Sequence, residues 1–453
     1  MINLKNWYKL SVNSVHKKNI IFISYYFPPM GGGGVQRILK FLKFWDYQNY
    51  NVYILTVKRS YVYAEDHELI AEIPPHVQTF ATSSLDPFRV LYFFKKFFEK
   101  KSLNNQSKKK ESGQFLRKIS GIFFIPDSRI LWLPFALYQM WKINRKVRMD
   151  LIIGTMPPFT TGIIATLAKI TLRIPYLLDF RDAWTNNPYL PKISIIHNYL
   201  QYRLEKFALK NASGVIFVNP KLQSYYLHRY PLLRKKPTIT IRNGFDPDDF
   251  SNAMTTVLNG DHKPFKIAVM GTVYSQGNSP FPLLKAVTSL IKSGKLKPEQ
   301  IRLVFIGKWA SNFLKKAQTL EINSILEWIN YLPHKKALQM AQNMDALALA
   351  VEDDKTGAEN ITPGRIYEYL YLRKPILAIC PIQSDLAWLI RTHHAGKAIA
   401  YSDIESIEET LLSWINSHSQ LNRGFTFREI EKYHRKFLTE QLMHFTRQVL
   451  NNS

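Results

Sequence analysis

Residues 19–47 read NIIFISYYFPPMGGGGVQRILKFLKFWDY, and the order of the parts decides the fold. Asn19–Tyr25 is a short run rich in β-branched and aromatic residues, the pattern of a buried strand. Phe27–Gly34 follows with two prolines and four glycines, which make a loop. From Val35 to about Tyr47 the apolar residues return at helical spacing. A strand, a glycine loop and a helix form the opening unit of a parallel α/β sheet, whose ligands bind beyond the carboxyl ends of its strands.

The unit repeats. Asn51–Val57, Leu151–Thr155, Tyr176–Asp179, Gly214–Val218 and Thr238–Ile241 read as strands, with helices predicted over 159–172 and 195–209. Asn243 to His262 is polar and turn-rich, which marks a domain boundary. The pattern restarts with strands at Phe265–Met270, Arg302–Ile306, Asp345–Val351 and Pro375–Cys380. A helix is predicted over 364–372 and a long amphipathic one over 427–450. The expectation is two doubly wound α/β domains, 1–245 and 246–425, followed by a helical segment, 426–453.

With 453 residues, each half is long enough to bury its own core. The single cysteine, Cys380, excludes an internal disulfide framework and a cysteine zinc site. The nearest approach to a spanning helix, 119–143, is interrupted by Pro126, Asp127, Arg129 and Pro134. Asn19–Phe27 runs into prolines and glycines rather than a small-residue cleavage site, so a cytoplasmic protein is expected. The net charge of +27 is uneven: residues 1–250 hold 37 Lys and Arg against 16 Asp and Glu, whereas 251–453 hold 24 against 18. A compositional bias of the genome would load both halves alike. The excess in the first half therefore suggests an anionic partner: nucleic acid, an acidic substrate or a membrane surface.

Three loops at strand ends carry the chemistry. In Phe27–Gly34, glycines at a helix start leave backbone N–H groups open to a phosphate or sugar hydroxyl. The loop lacks G-x-G-x-x-G and the Gly-Lys-Ser/Thr of a Walker loop, and a flexible turn is the competing reading. In Asp179-Phe-Arg-Asp-Ala-Trp184, two carboxylates flank Arg181. They form either a structural salt bridge or a group facing a cleft, because unpaired burial of charge is costly. In Glu359–Glu368, Pro363 suits the first turn of a helix. Glu368 is then placed to accept hydrogen bonds from ribose hydroxyls, and Arg365 to pair with a phosphate.

With RNGFDPDDF at 242–250, VMGTVYS at 269–275 and PGRIYEYLYLRKPILA at 363–378, these loops resemble the large retaining glycosyltransferase group called family 4. The DFRD and GRIYEYL segments resemble those of enzymes that build bacterial capsule, O-antigen or exopolysaccharide. The resemblance implies a GT-B fold, with two Rossmann-like domains facing across a cleft. The first would bind the acceptor and the second a nucleotide-sugar, with the last helix crossing back to the first. It further implies that Gly271 and Thr272 meet the diphosphate, that Lys308 and Arg365 are catalytic cations, and that Glu368 holds the ribose. Glu359 and Thr362 would join the donor site, Gly32 and Gly33 would approach it from the first domain, and Asp182 would be catalytic. Asp179 and Arg181 would be acceptor-binding or structural.

Three departures stand out. Asn360 occupies the first acid position of the family's E-x7-E motif, with Glu359 one residue out of register. No basic residue follows Gly271 at once, and Arg365 is the replacement. Asp182 stands where many relatives carry a histidine. The implied reaction retains configuration and needs neither metal nor cofactor, the nucleotide-sugar being a co-substrate. A degenerate, binding-only protein is the alternative suggested by Asn360. Nucleic-acid binding is weaker, because the basic residues lie on no recognisable reading element.

The surplus charge finds a place in Leu85–Lys118, where aromatic residues alternate with cations for a net +7. Phe94, Lys95, Lys96, Phe97, Phe98, Lys100 and Lys101 are the expected contacts with an anionic membrane, on its cytoplasmic face, where a lipid-linked or glycan acceptor would be met.

Overall fold

The computed structural model describes residues 17–58, 65–85, 124–189, 193–250, 264–274 and 277–452. The expected membrane contacts, 94–101, lie outside the described residues. The first sheet is built from β1 (Lys18–Ile23), α1 (Gly33–Lys43), β2 (Tyr50–Val57), β3 (Gln78–Thr82), α2 (Leu133–Lys146), β4 (Leu151–Met156), α3 (Thr160–Leu172), β5 (Tyr176–Phe180), α4 (Ile195–Asn211), β6 (Gly214–Phe217), α5 (Pro220–Arg229) and β7 (Thr238–Thr240). Its seven parallel strands run in the order β3-β2-β1-β4-β5-β6-β7.

The second sheet is built from β8 (Phe265–Val273), α6 (Phe281–Lys292), β9 (Ile301–Trp309), α7 (Ser311–Gln318), β10 (Leu326–Asn330), α8 (His334–Gln342), β11 (Ala346–Ala350), α9 (Arg365–Leu372), β12 (Ile376–Ile379), α10 (Asp385–Thr392), β13 (Gly396–Ile399) and α11 (Ile404–Asn416). Its order is β10-β9-β8-β11-β12-β13, again parallel. Every residue of β4, β5 and β11 is buried, as expected of strands covered on both faces. Crossover direction reverses between β1 and β4 and between β8 and β11. Such reversals open a crevice beyond the strand ends. The glycine loop after β1 and Gly271 in β8 both lie at these points.

The last helix, α12 (Arg435–Asn451), packs on α1. Leu438, Leu442, Phe445 and Val449 recur at helical spacing and join the core of the first sheet. The sequence reading started this helix at Phe427. Phe427 and Glu429 instead take φ of 48° and 52°, left-handed values that break a helix, so the regular turn begins only at Arg435. The segment before it runs beside the outgoing chain. Phe245 N–H donates to Tyr433 O (3.1 Å), and Arg435 N–H donates to Phe245 O (2.9 Å). The contact is close enough that a Cβ at Gly244 would lie 2.0 Å from Tyr433 O, so only glycine fits.

Candidate active site

On the second sheet, Gly271 of β8 pairs in register with Gly307 of β9, and Thr272 pairs with Lys308. Both glycines take positive φ, 104° and 143°. A Cβ on Gly307 would lie 2.0 Å from Gly271 O, and one on Gly271 would lie 2.1 Å from both terminal nitrogens of Arg365. The Arg365 guanidinium, at the start of α9, therefore lies across the backbone at Gly271. Lys308 sits over the Tyr331 ring at 5.8 Å, and burial lowers its ammonium pKa. A bare backbone, the Arg365 cation and a helix start meet here, with Lys308 on the adjoining strand, an arrangement suited to a phosphate pair.

Glu368 follows Arg365 by three residues on α9, close to one turn, and so shares its face. Its Oε1 lies 2.9 Å from Nε2 of His334, the first residue of α8. Burial alone would raise the Glu368 carboxyl, but His334, Arg435 and Arg365 outweigh it and hold its pKa below the usual carboxylate range. Burial likewise opposes protonation of His334, and Glu368 and Asp249 prevail to raise its pKa. The His334 backbone N–H donates to Asp66 Oδ2 (3.2 Å), a residue of the first half.

On the first sheet, Gly32 caps α1 at φ 111°, and a Cβ on Gly32 or Gly33 would meet nothing within 4 Å. Gly34 is different: its Cβ would strike Nη1 of Arg181 at 1.8 Å. Arg181 does not pair with its neighbouring carboxylates as the salt-bridge reading had it. It donates through Nε to Met156 O (3.1 Å) and through Nη2 to Pro157 O. The buried bridge belongs to Asp179 and Arg37, joined by two hydrogen bonds of 2.7 and 3.0 Å and supported by Thr155 Oγ1 (3.0 Å). Arg37 also donates to Ile241 O, Arg242 O and Asn243 Oδ1. Asp179 is thus structural. Asp182 lines a crevice between the halves with Asn186, Asn187, Gly357 and Asn360. Burial raises its carboxyl pKa, with Arg181 opposing.

Two predicted donor residues are occupied otherwise. Thr362 donates to Asp385 Oδ2 (2.9 Å) and accepts from Asn219 Nδ2 (3.2 Å), which also donates to Asn360 O (2.8 Å). These bonds clamp the two halves. Glu359 Oε2 accepts the Gly357 N–H at 3.0 Å, closing its own turn. Gly271, Thr272, Lys308, Arg365 and Glu368 lie on neighbouring parts of β8, β9 and α9; Thr362 lies in the clamp and Glu359 in its own turn. His334 was not singled out from the sequence. Its signal was its place just after a strand and Pro333, at a helix start, which is where α/β sheets put ligand contacts. Glu205 of α4 was also missed. It is fully buried and accepts from the hydroxyls of Tyr226, Tyr230 and Thr185, anchoring the loop that carries Asp182.

Residues 31–249 match the model of Glycosyltransferase Family 4. No curated protein matches the chain. Among solved structures, sucrose-phosphate synthase from Thermosynechococcus elongatus aligns over 96% of this chain and 100% of its own, at 14% identity and TM-score 0.66. The Staphylococcus aureus TarM G117R mutant, in complex with Fondaparinux, α-GlcNAc-glycerol and UDP, aligns over 96% and 100%, at 12% identity and TM-score 0.56. S. aureus MnaA with UDP aligns over 96% and 97%, at 13% identity and TM-score 0.52. The chain shares their two-sheet architecture. It has the GT-B fold, and the Glycosyltransferase Family 4 match covers its first half.

Proposed function

We propose that this chain is a family 4 glycosyltransferase, which moves a sugar from a nucleoside-diphosphate sugar to an acceptor hydroxyl with retention and without a metal ion. The setting is assembly of a bacterial surface polysaccharide, on a lipid-linked or glycan acceptor at the cytoplasmic face of the membrane. The observation that carries the donor reading is the Arg365 guanidinium laid over Gly271 beside Lys308. In the reaction the bond from sugar C1 to the diphosphate oxygen breaks, and C1 bonds to the acceptor oxygen on the same face. The hydroxyl proton passes to the departing diphosphate. Negative charge grows on that leaving group, and Lys308, Arg365 and the start of α9 are preorganised to receive it. They supply the positive charge that a divalent ion would otherwise bring. Glu368 keeps Oε1 on His334 and offers Oε2 to the ribose hydroxyls. Asp182 accepts a hydrogen bond from the acceptor hydroxyl, and Gly32 and Gly33 admit the donor sugar against bare backbone.

The test is a thermal-shift panel of UDP-, GDP-, ADP- and CMP-sugars in EDTA, followed by turnover of whichever donor binds. UDP-sugars lead the panel because UDP is bound in the TarM and MnaA structures. Stabilisation by one base class, and transfer that survives EDTA, is the expected result. Turnover that vanishes in EDTA and returns with magnesium overturns the metal-free mechanism. A tight binder that is never hydrolysed or transferred marks a binding-only protein.

A further inference from the structure

Three helices, α2, α3 and α4, lie side by side on the first sheet. Their solvent face is unusual in two respects. It exposes large apolar side chains: Ile195 at 89%, Ile196 at 73%, Tyr138 at 59%, Tyr199 at 54% and Trp141 at 42%. Among the described residues of these helices it also carries no exposed carboxylate. α2 and α3 contain no Asp or Glu, and the one acid of α4, Glu205, is fully buried. The exposed aromatics carry cations: Lys142 Nζ lies 4.9 Å from the Tyr138 ring, Arg145 Cζ 4.8 Å from Trp141 and Arg203 Cζ 5.7 Å from Tyr199.

We propose that the α2–α4 face is the surface on which this enzyme docks to an anionic lipid bilayer. The proposal rests on the lipid-linked acceptor reading above and supplies its surface, on helices distinct from the 94–101 segment expected from sequence. Aromatic rings capped by cations suit the boundary between headgroups and acyl chains, where the ring is sheltered and the charge meets phosphate. Ile195 and Ile196, in the first turn of α4, supply apolar area that a nucleic-acid backbone would not match. A second copy of the face would set cation against cation.

The docked helix also reaches the chemistry. On its inner side, Gln201 Oε1 accepts from Trp184 Nε1 (2.7 Å) and Glu205 Oε2 accepts from Thr185 Oγ1 (2.5 Å). These bonds hold the loop of Asp182. The bilayer face and the acceptor crevice are thus two sides of one helix, which sets the cleft at headgroup level.

The experiment is co-sedimentation of the full chain with phosphatidylglycerol/phosphatidylcholine vesicles and with phosphatidylcholine alone. Wild type should pellet with the anionic vesicles and be largely released by high salt. Two double variants, Ile196→Glu/Tyr199→Glu and Tyr138→Glu/Trp141→Glu, should each weaken binding by about tenfold or more. Their melting temperature and nucleotide-induced thermal shift should stay at wild-type values, which shows a folded enzyme with an intact donor site. The proposal falls if both variants bind as wild type does, or if phosphatidylcholine alone suffices. It also falls if charge reversal at Lys95, Lys96, Lys100 and Lys101 abolishes binding while the helix variants retain it. Dimeric wild type turned monomeric by the same changes would assign the face to self-association instead. Vesicle binding that persists while no lipid-borne acceptor is glycosylated defeats the acceptor reading and leaves the surface standing.

Discussion

Gly271→Ala separates the donor site from the fold. The new Cβ would sit 2.1 Å from Nη1 and Nη2 of Arg365, well inside contact distance. Those atoms are the far end of a flexible side chain, so the guanidinium swings away and the sheet survives. The backbone cost is that of a non-glycine residue at φ 104°, about 1–2 kcal/mol. The functional cost is larger in proportion. A charge-assisted hydrogen bond is worth about 1.5–3 kcal/mol. At about 1.4 kcal/mol per tenfold, nucleoside-diphosphate affinity should fall by roughly 10- to 150-fold. Isothermal titration with the nucleoside diphosphate measures the affinity, and urea unfolding of the free protein measures the fold. Arg365→Ala should give a similar loss of affinity without the backbone cost. The double variant should bind no worse than Arg365→Ala, because both changes remove one contact. Gly307→Ala is the contrast. Its Cβ meets the Gly271 carbonyl at 2.0 Å, a backbone atom that cannot step aside, so it should destabilise the sheet by about 3 kcal/mol. A folded Gly271→Ala enzyme with wild-type nucleotide affinity would refute the placement of the phosphates.

Three further outcomes follow from the same geometry. Asp179→Ala strands the fully buried Arg37 guanidinium and should cost about 3–5 kcal/mol in urea unfolding, with much of it regained in Arg37→Met/Asp179→Leu; a change confined to acceptor KM would instead make Asp179 a substrate ligand. The His334–Glu368 pair makes stability depend on pH on both sides: the raised His334 pKa contributes fully below its unfolded value of 6.5 and is lost as pH rises through the folded value, while the lowered Glu368 pKa contributes fully above 4.5 and is lost as pH falls through its folded value. His334→Gln should flatten the alkaline loss seen by thermal melting, and an unchanged curve argues against the pair. Asp182→Asn should lower kcat by about 100-fold with the donor-induced thermal shift unchanged. In wild type the acid limb of kcat/KM should lie above the ordinary Asp range, because burial raises this carboxyl.

The interior of both sheets was legible because its strands are apolar without interruption. LIIGTM at β4 and ALALA at β11 have few other readings. The edges were not. β3 is QTFAT and exposes four of its five residues wholly or partly, and β10 and β13 are similarly mixed, so their composition is that of a loop. Gly271, singled out from the sequence, takes a positive φ under the Arg365 side chain, and Gly307 beside it lies against the Gly271 backbone. Side-chain direction was harder. Glu359 and Thr362 have the right chemistry for a donor, but Gly357, Asn219 and Asp385 claim them first. Gly357 lies in the same turn as Glu359, but Asn219 comes from the opposite half and Asp385 from another helix, and no local pattern announces those two. Asp179 and Asp182, three residues apart, diverge because strand direction turns the first into the core beneath Arg37 and the loop releases the second into the crevice.

The hydrogen-bonded crossing at Phe245 and Tyr433–Arg435 limits how the cleft can move. A single connecting strand would leave each half free to swivel about the chain as well as to bend. Two strands tied to each other behave as a flat flexure, stiff in torsion and compliant in one plane. Twisting of one half against the other therefore works against backbone hydrogen bonds as well as against the chain itself. The joint between the halves is thus two chain crossings fastened to each other by backbone hydrogen bonds of 2.9 and 3.1 Å.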